Sequence, residues 1–237
     1  MGWNSYDLVT FGCSHTYGQG LPDCVADDGS AGPKPSNVEW PSILKRNVGF
    51  KSLNNRGKPG ASNKIIVKKI IEYPYYNPKT VVVILWSNFS RQTIFKNVEQ
   101  QVHMMPHMAD GAKWMPLSFW KRHEEDRETF TKKVDTYYKT FYEDFDAKFD
   151  QMIRMNFAHA FLKSKGIKSF HLVVDHELTE DQEYFNKFNV SGLNLKIYNW
   201  QKDFRIDYGL DTQQPIPHPG PKSHMLFANN IKEWFFK

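Results

Sequence analysis

The segment Thr80 to Trp86, TVVVILW, constrains the fold more than any other part of the chain. Its apolar residues run without alternation, so a strand here buries both faces. Such a strand belongs in the interior of a parallel sheet covered by helices on either side. A parallel neighbour needs a crossover connection, usually a helix, and the sequence supplies candidates. DLVTFG (7–12) reads as a buried strand ending at glycine, Lys51 to Asn54 as a brief strand, KSFHLVV (168–174) as a further one and Leu193 to Tyr198 as a fifth. Between them lie helical patterns. Trp40 to Val48 has Pro41 in its first turn, NKIIVKKIIEY follows a cap at Ser62 or Asn63, and Glu124 to Lys165 carries apolar residues near helical spacing. The charged EDFDAKFD stretch marks a break in that last pattern, Gly166 ends it, and a final helix starts near Ser223.

Alternating strands and helices predict an α/β, three-layer α/β/α architecture with a five-stranded parallel sheet. The 237 residues fit a single domain, 1–237, with an inserted excursion and helical region at about 92–150. Residues 97–116, bearing Met, His and Gly without a clear period, read as an excursion or lid. A hydrophobic fraction of 40% with 15% aromatics can fill a core, which excludes disorder. No stretch approaches the roughly 18 uncharged apolar residues that span a bilayer. The N-terminus carries Asp7 and lacks the basic and apolar regions of a secretory leader, and Cys13 and Cys24 suit a reducing compartment, so a cytoplasmic location is expected. The net charge of +5 comes from basic residues interleaved with acids, as in KRHEEDRETFTKKVD, and does not form a nucleic-acid footprint.

Ligands of such sheets bind beyond the carboxyl ends of the strands. Polar clusters fall there: Gly12 to Thr16, Asn55 to Asn63, Ser87-Asn88 and Asp175-His176-Glu177, with His218-Pro219 before the last helix. A serine, glycine-loop amides, an asparagine and a histidine on one edge suit acyl transfer. A hydroxyl needs a base to become nucleophilic, and the developing oxyanion needs fixed N–H donors. Each residue also has a plainer role: Ser14 as a helix N-cap, Gly57 and Gly60 as turn formers, Asn88 as a cap, His218 as a surface histidine. His103 and His107 sit four apart, but Pro106 lies between them and no third metal ligand is evident.

In order and spacing, GCSHT (12–16), NRGKPG (55–60), WSNF (86–89) and HPGPKSH (218–224) resemble the blocks of the SGNH or GDSL hydrolases. The form FGCSHTYG…WP…N…GASN…WSN…R is most similar to a branch common in tailed-phage genomes. The resemblance implies a flavodoxin-like topology and a serine esterase acting on a small acyl ester, such as an acetyl group on a carbohydrate, without metal or cofactor. It implies Ser14 as nucleophile, His218 as base, and an oxyanion hole of the Ser14 and Gly60 N–H groups with the Asn88 amide. Cys13 stands where the family has Asp, and Trp86 and Phe89 replace the Gly and Asp beside Asn88, narrowing the pocket. Pro215 occupies the position of the triad acid, which leaves Asp211 or a Ser–His dyad. His15, Trp86, Arg91 and His176 are assigned to substrate binding, Arg91 either to an anionic substrate group or to an acid of the 124–128 run. The Trp114, Phe119 and Trp120 cluster reads as packing or as a sugar platform. A non-catalytic binding or virion-associated module on the same fold and an acyltransferase are the alternatives. Small-molecule or carbohydrate esters are the expected partners, with no nucleic acid or membrane, in the host cytoplasm if the chain is viral.

Overall fold

The computed structural model describes residues 2–27, 29–95, 101–106, 127–174, 183, 187, 192–212 and 217–237. In chain order its elements are β1 (Asp7–Phe11), α1 (Ser14–Tyr17), α2 (Trp40–Val48), β2 (Ser52–Asn55), α3 (Asn63–Ile71), β3 (Thr80–Leu85), β4 (Gln92–Phe95), β5 (Gln101–Met104), α4 (Arg127–Thr140), α5 (Asp144–Ser164), β6 (Lys168–Val174), β7 (Asn194–Tyr198) and α6 (Pro221–Phe235). Short 3₁₀ (Trp3–Ser5) and π-helical (Trp200–Phe204) turns complete the described elements.

The five-stranded sheet has the order β2-β1-β3-β6-β7, and each of its pairings is parallel. All six residues of β3 are buried, as its doubly apolar sequence requires. One sheet face, carrying Val9, Phe11, Val82 and Ile84, packs on Ile65, Ile66 and Ile70 of α3 and Met155, Ala158 and Leu162 of α5. The other, carrying Leu8, Val81, Val83 and Leu172, packs on Trp40 and Leu44 of α2 and Phe227, Ala228 and Ile231 of α6. The strand order reverses between β1 and β3, so the cleft opens above their carboxyl ends.

The expected excursion divides in two. β4 and β5 form an antiparallel pair that the unperiodic 97–116 sequence gave no hint of. Met104, Met105, Phe130 and Val134 join β5 to α4 in a small core of their own. The helix break falls at 141–143, at the leading edge of EDFDAKFD: Glu143 takes the cap position and Asp144 and Asp146 enter the first turn of α5, where the helix dipole favours acids. α5 itself belongs to the main helical layer. Ser62 is the cap residue of α3, but its hydroxyl makes no cap bond and instead hydrogen-bonds Thr93 at 2.7 Å, tying β4 to the body.

His224, in the first turns of α6, accepts the Trp40 backbone N–H on Nδ1 at 3.0 Å, which joins the two helices of one layer. Burial, first of all, pushes its pKa down to about 3, so it stays a neutral acceptor. Just before α2, Glu39 is 1% exposed. Its Oε1 accepts from Ser42 Oγ at 2.8 Å and Asn55 Nδ2 at 3.1 Å, while Oε2 is buried with no partner among the described residues. Burial raises its pKa from 4.5 to about 7. Between those values the unfolded chain releases this proton and the folded chain keeps it, so stability falls as pH rises, by on the order of 3 kcal/mol in total. Glu39→Gln is expected to flatten the loss of urea stability between pH 5 and 8 by about 1–3 kcal/mol. Identical pH slopes for the two proteins would place an ionised carboxylate at this position.

Candidate active site

The β1–α1 turn brings Ser14 to the cleft. A Cβ on Gly12 would lie 2.0 Å from Thr16 Oγ1 and 2.9 Å from the Leu85 carbonyl, so only glycine lets the end of β1 pass between α1 and β3. Ser14 is not a cap. Cys13 holds that position, and its side chain joins the apolar cluster beneath α3 and α5. Ser14 therefore opens α1 with its hydroxyl uncommitted to any hydrogen bond among the described residues.

Two neighbouring loops are stitched to this turn. Arg56 N donates to Thr10 O at 2.8 Å and Lys58 N to Gly12 O at 3.0 Å. Asn55 Nδ2 donates to Thr16 O at 2.7 Å. These bonds set the Gly57–Gly60 loop alongside Ser14, and Gly60 adopts a φ of 71°. At the end of β3, Asn63 Nδ2 donates to Ser87 O (2.9 Å) and Ser87 N to Asn63 Oδ1 (2.7 Å). The next residue, Asn88, is exposed, and its Oδ1 accepts from Ser90 N at 2.9 Å and from the Ser90 hydroxyl. That leaves the Asn88 Nδ2 free to donate. The Ser14 and Gly60 N–H groups likewise have no acceptor among the described residues.

The histidine arrives from the far end of the chain. Asp211 Oδ2 lies 2.5 Å from His218 Nδ1, and His218 N donates to Asp211 Oδ1 at 3.1 Å. The Asp211 carboxylate is 1% exposed. Burial works against its charge, yet the hydrogen bonds and charge of His218 hold its pKa below the ordinary carboxylate value. The spacing is seven residues rather than the three expected of the family pattern, and Pro215 lies outside the described residues. The pair is pressed against the segment leaving α1: Leu210 N donates to Gly20 O at 2.7 Å, and Gly209 N to His218 O at 2.7 Å. The His218 ring then sits 5.3 Å, centroid to centroid, from that of His15, the residue after Ser14. No described hydrogen bond links His218 to Ser14.

Asp207 fixes this loop from behind. Its oxygens accept Lys222 N (3.0 Å) and Ser223 N (2.7 Å) at the start of α6, and Ser223 Oγ accepts from Ile206 N and Asp207 N. His15 is half-buried between Trp200 (4.8 Å), Phe204 (5.8 Å) and His218. Burial first, then His218, Arg91 and Arg205, hold its pKa well below the usual value, so it is neutral.

Other expected site residues fall elsewhere. Trp86 and Phe89 are buried in the α3/α5 core, and Trp86 Nε1 donates to His171 Nδ1 at 3.2 Å. Trp86 follows the inward alternation of Val82 and Ile84, which fixes its direction. His103 Nδ1 pairs with Thr93 Oγ1 at 3.0 Å. His107, Trp114, Phe119, Trp120, Asp175, His176 and Glu177 lie outside the described residues. Arg91 forms no ion pair with a described residue of the 124–128 run. Sequence reasoning did not single out Gly20, Trp200, Arg205, Asp207 or Gly209. The glycines of GQG and YGLD were the available hint.

No protein-family model and no curated protein matches the sequence. Solved structures do. A carbohydrate esterase whose active site is described as having divergent catalytic and non-catalytic binding functions is 14% identical, with a TM-score of 0.53 over 98% of this chain and 69% of that one. An acetyl xylan esterase from the rumen bacterium Butyrivibrio proteoclasticus is 11% identical, TM-score 0.52, over 98% and 65%. A lipase from a goat rumen metagenome is 10% identical, TM-score 0.51, over 98% of each chain. The chain thus spans about two thirds of the length of the two carbohydrate esterases, and what it shares with all three is the α/β fold.

Gly20 has a φ of 86°, and a Cβ there would lie 2.5 Å from Asp211 Oδ1 and 3.2 Å from His218 Cβ. Gly49 has a φ of 84° with nothing within 4 Å. Gly49→Ala is expected to cost about 1–2 kcal/mol in urea unfolding, and Gly20→Ala about 1–3 kcal/mol more from overpacking. Equal costs would mean that the Asp211–His218 pair does not rest on Gly20. Asp207→Ala is expected to lower stability by about 1–2 kcal/mol through loss of the α6 cap, again read from urea midpoints.

Proposed function

We propose that the protein is an ester hydrolase of the SGNH type, in the branch the motif form resembles in tailed-phage genomes, cleaving a small acyl ester through a Ser14 acyl-enzyme. The observation that carries this reading is the buried Asp211–His218 pair, 2.5 Å apart, held against the turn that bears Ser14. Asp211 accepts a hydrogen bond from His218 Nδ1–H, which leaves Nε2 as the base for the Ser14 hydroxyl. The missing Ser14–His218 hydrogen bond is compatible with that role, because such bonds are often long before substrate binds.

In the forward step Ser14 Oγ attacks the acyl carbonyl as its proton passes to His218. The oxyanion is met by the Ser14 and Gly60 N–H groups and Asn88 Nδ2, donors that have no other described acceptor. Collapse expels the alcohol, which takes the proton from His218. Water then repeats the sequence and releases the acid. Asp211 keeps the imidazole in its working tautomer and stabilises its protonated form. An acyl group on a carbohydrate is the substrate class to test first, since two of the structures sharing the fold are carbohydrate esterases.

Hydrolysis of 4-nitrophenyl acetate, compared with longer acyl chains, tests the reading. Ser14→Ala and His218→Ala are each expected to lower kcat by about 10³-fold or more, and Asp211→Asn by about 10²-fold or more. Rates unchanged in Ser14→Ala would assign the fold to a binding module.

A further inference from the structure

Arg91 and Arg205 are charged side chains near the cleft that form no ion pair among the described residues and that each bury an unpartnered nitrogen. Arg91 follows the Asn88 turn, where its N–H donates to Asn88 O at 3.2 Å. Arg205 follows the π-helical turn whose Phe204 ring touches His15, and its guanidinium lies 5.0 Å over the Tyr208 ring. Both charges are close enough to His15 to disfavour its protonation. Arg91 is thus tied to the Asn88 turn at the end of β3, and Arg205 directly follows the Phe204 ring that packs on His15.

Among the described residues, the carboxylates of the adjoining loop are already committed. Asp211 is bound to His218, Asp207 to the start of α6, and Asp203 accepts Asn199 N at 2.8 Å. Meanwhile Arg91 Nη1 and Arg205 Nε are buried with no hydrogen-bond partner among the described residues. Buried N–H groups of a cation left without an acceptor are costly, more so than neutral ones. Two such groups beside one cleft are not explained by core packing. They make sense as donors aimed at an oxyanion that enters the cleft, for which arginine's planar fork is suited.

We infer that the Arg91–Arg205 pair is a binding site for a carboxylate or phosphate group on the substrate, so that the ester acted on is anionic. This rests on the esterase reading for the word substrate, but the binding site itself does not. Calorimetric titration of the Ser14→Ala protein with glucuronate, inorganic phosphate and neutral glucose separates the two. One of the anions is expected to bind at least about tenfold tighter than glucose, and Arg91→Ala and Arg205→Ala to weaken it about 10- to 100-fold. Arg91→Lys should recover part of the loss. Arg154→Ala, whose arginine is paired with Asp150 on α5, should bind as the parent does. Preference for glucuronate assigns a carboxylated sugar, and preference for phosphate a phosphoryl group. Anions that bind no tighter than glucose, or arginine variants that bind like the parent, overturn the inference even if 4-nitrophenyl acetate is hydrolysed. Anion binding that depends on both arginines in a protein without Ser14-dependent hydrolysis upholds the site and removes the esterase.

Discussion

The structure depends on a backbone contact between two glycines far apart in sequence. A Cβ on Gly209 would lie 2.7 Å from the Gly20 carbonyl, so the two chains touch with no room for a side chain. That approach lets Leu210 N reach Gly20 O, and it sets the loop carrying Asp211 and His218 against the segment that leaves α1. Without it, the residues that make a site of this sheet edge would belong to two unconnected loops. Asp207 acts from the other side by fastening the same loop to the first turn of α6.

The electrostatics of the cleft follow from what each charge has for company. His218 has a buried carboxylate on one ring nitrogen, so its orientation is set. His15 and His224 have no such partner, and burial beside other cations keeps them neutral. Of these three rings, His218 is the one held by a carboxylate. The arginines complete the picture, since their positive charge has no internal counterweight among the described residues.

Much of this was legible in the sequence. The strand at Thr80 reads correctly because a doubly apolar run has few other uses, and α2 reads to the residue because Pro41 and Gly49 bracket it. Ser14, Gly60 and Asn88 fall on strand ends, which a parallel sheet gathers on one edge by construction. Trp86, expected at the pocket beside Asn88, is turned by strand alternation into the α3/α5 core. The β4–β5 pair was missed since its residues lack alternation, and its stability comes from α4 packing and the Ser62–Thr93 bond.

Local pattern by itself determined the class of fold, the central strand and which segments reach the functional edge, because these follow from hydrophobic period and from where glycine and proline interrupt it. Tertiary structure alone decided which acid serves His218. Asp211 lies at no motif spacing, and what selects it is the distance to which Gly20, Gly209 and Asp207 fold its loop. It likewise decided which cations are unpaired among the described residues, since pairing is a matter of three-dimensional neighbours that no spacing along the chain records.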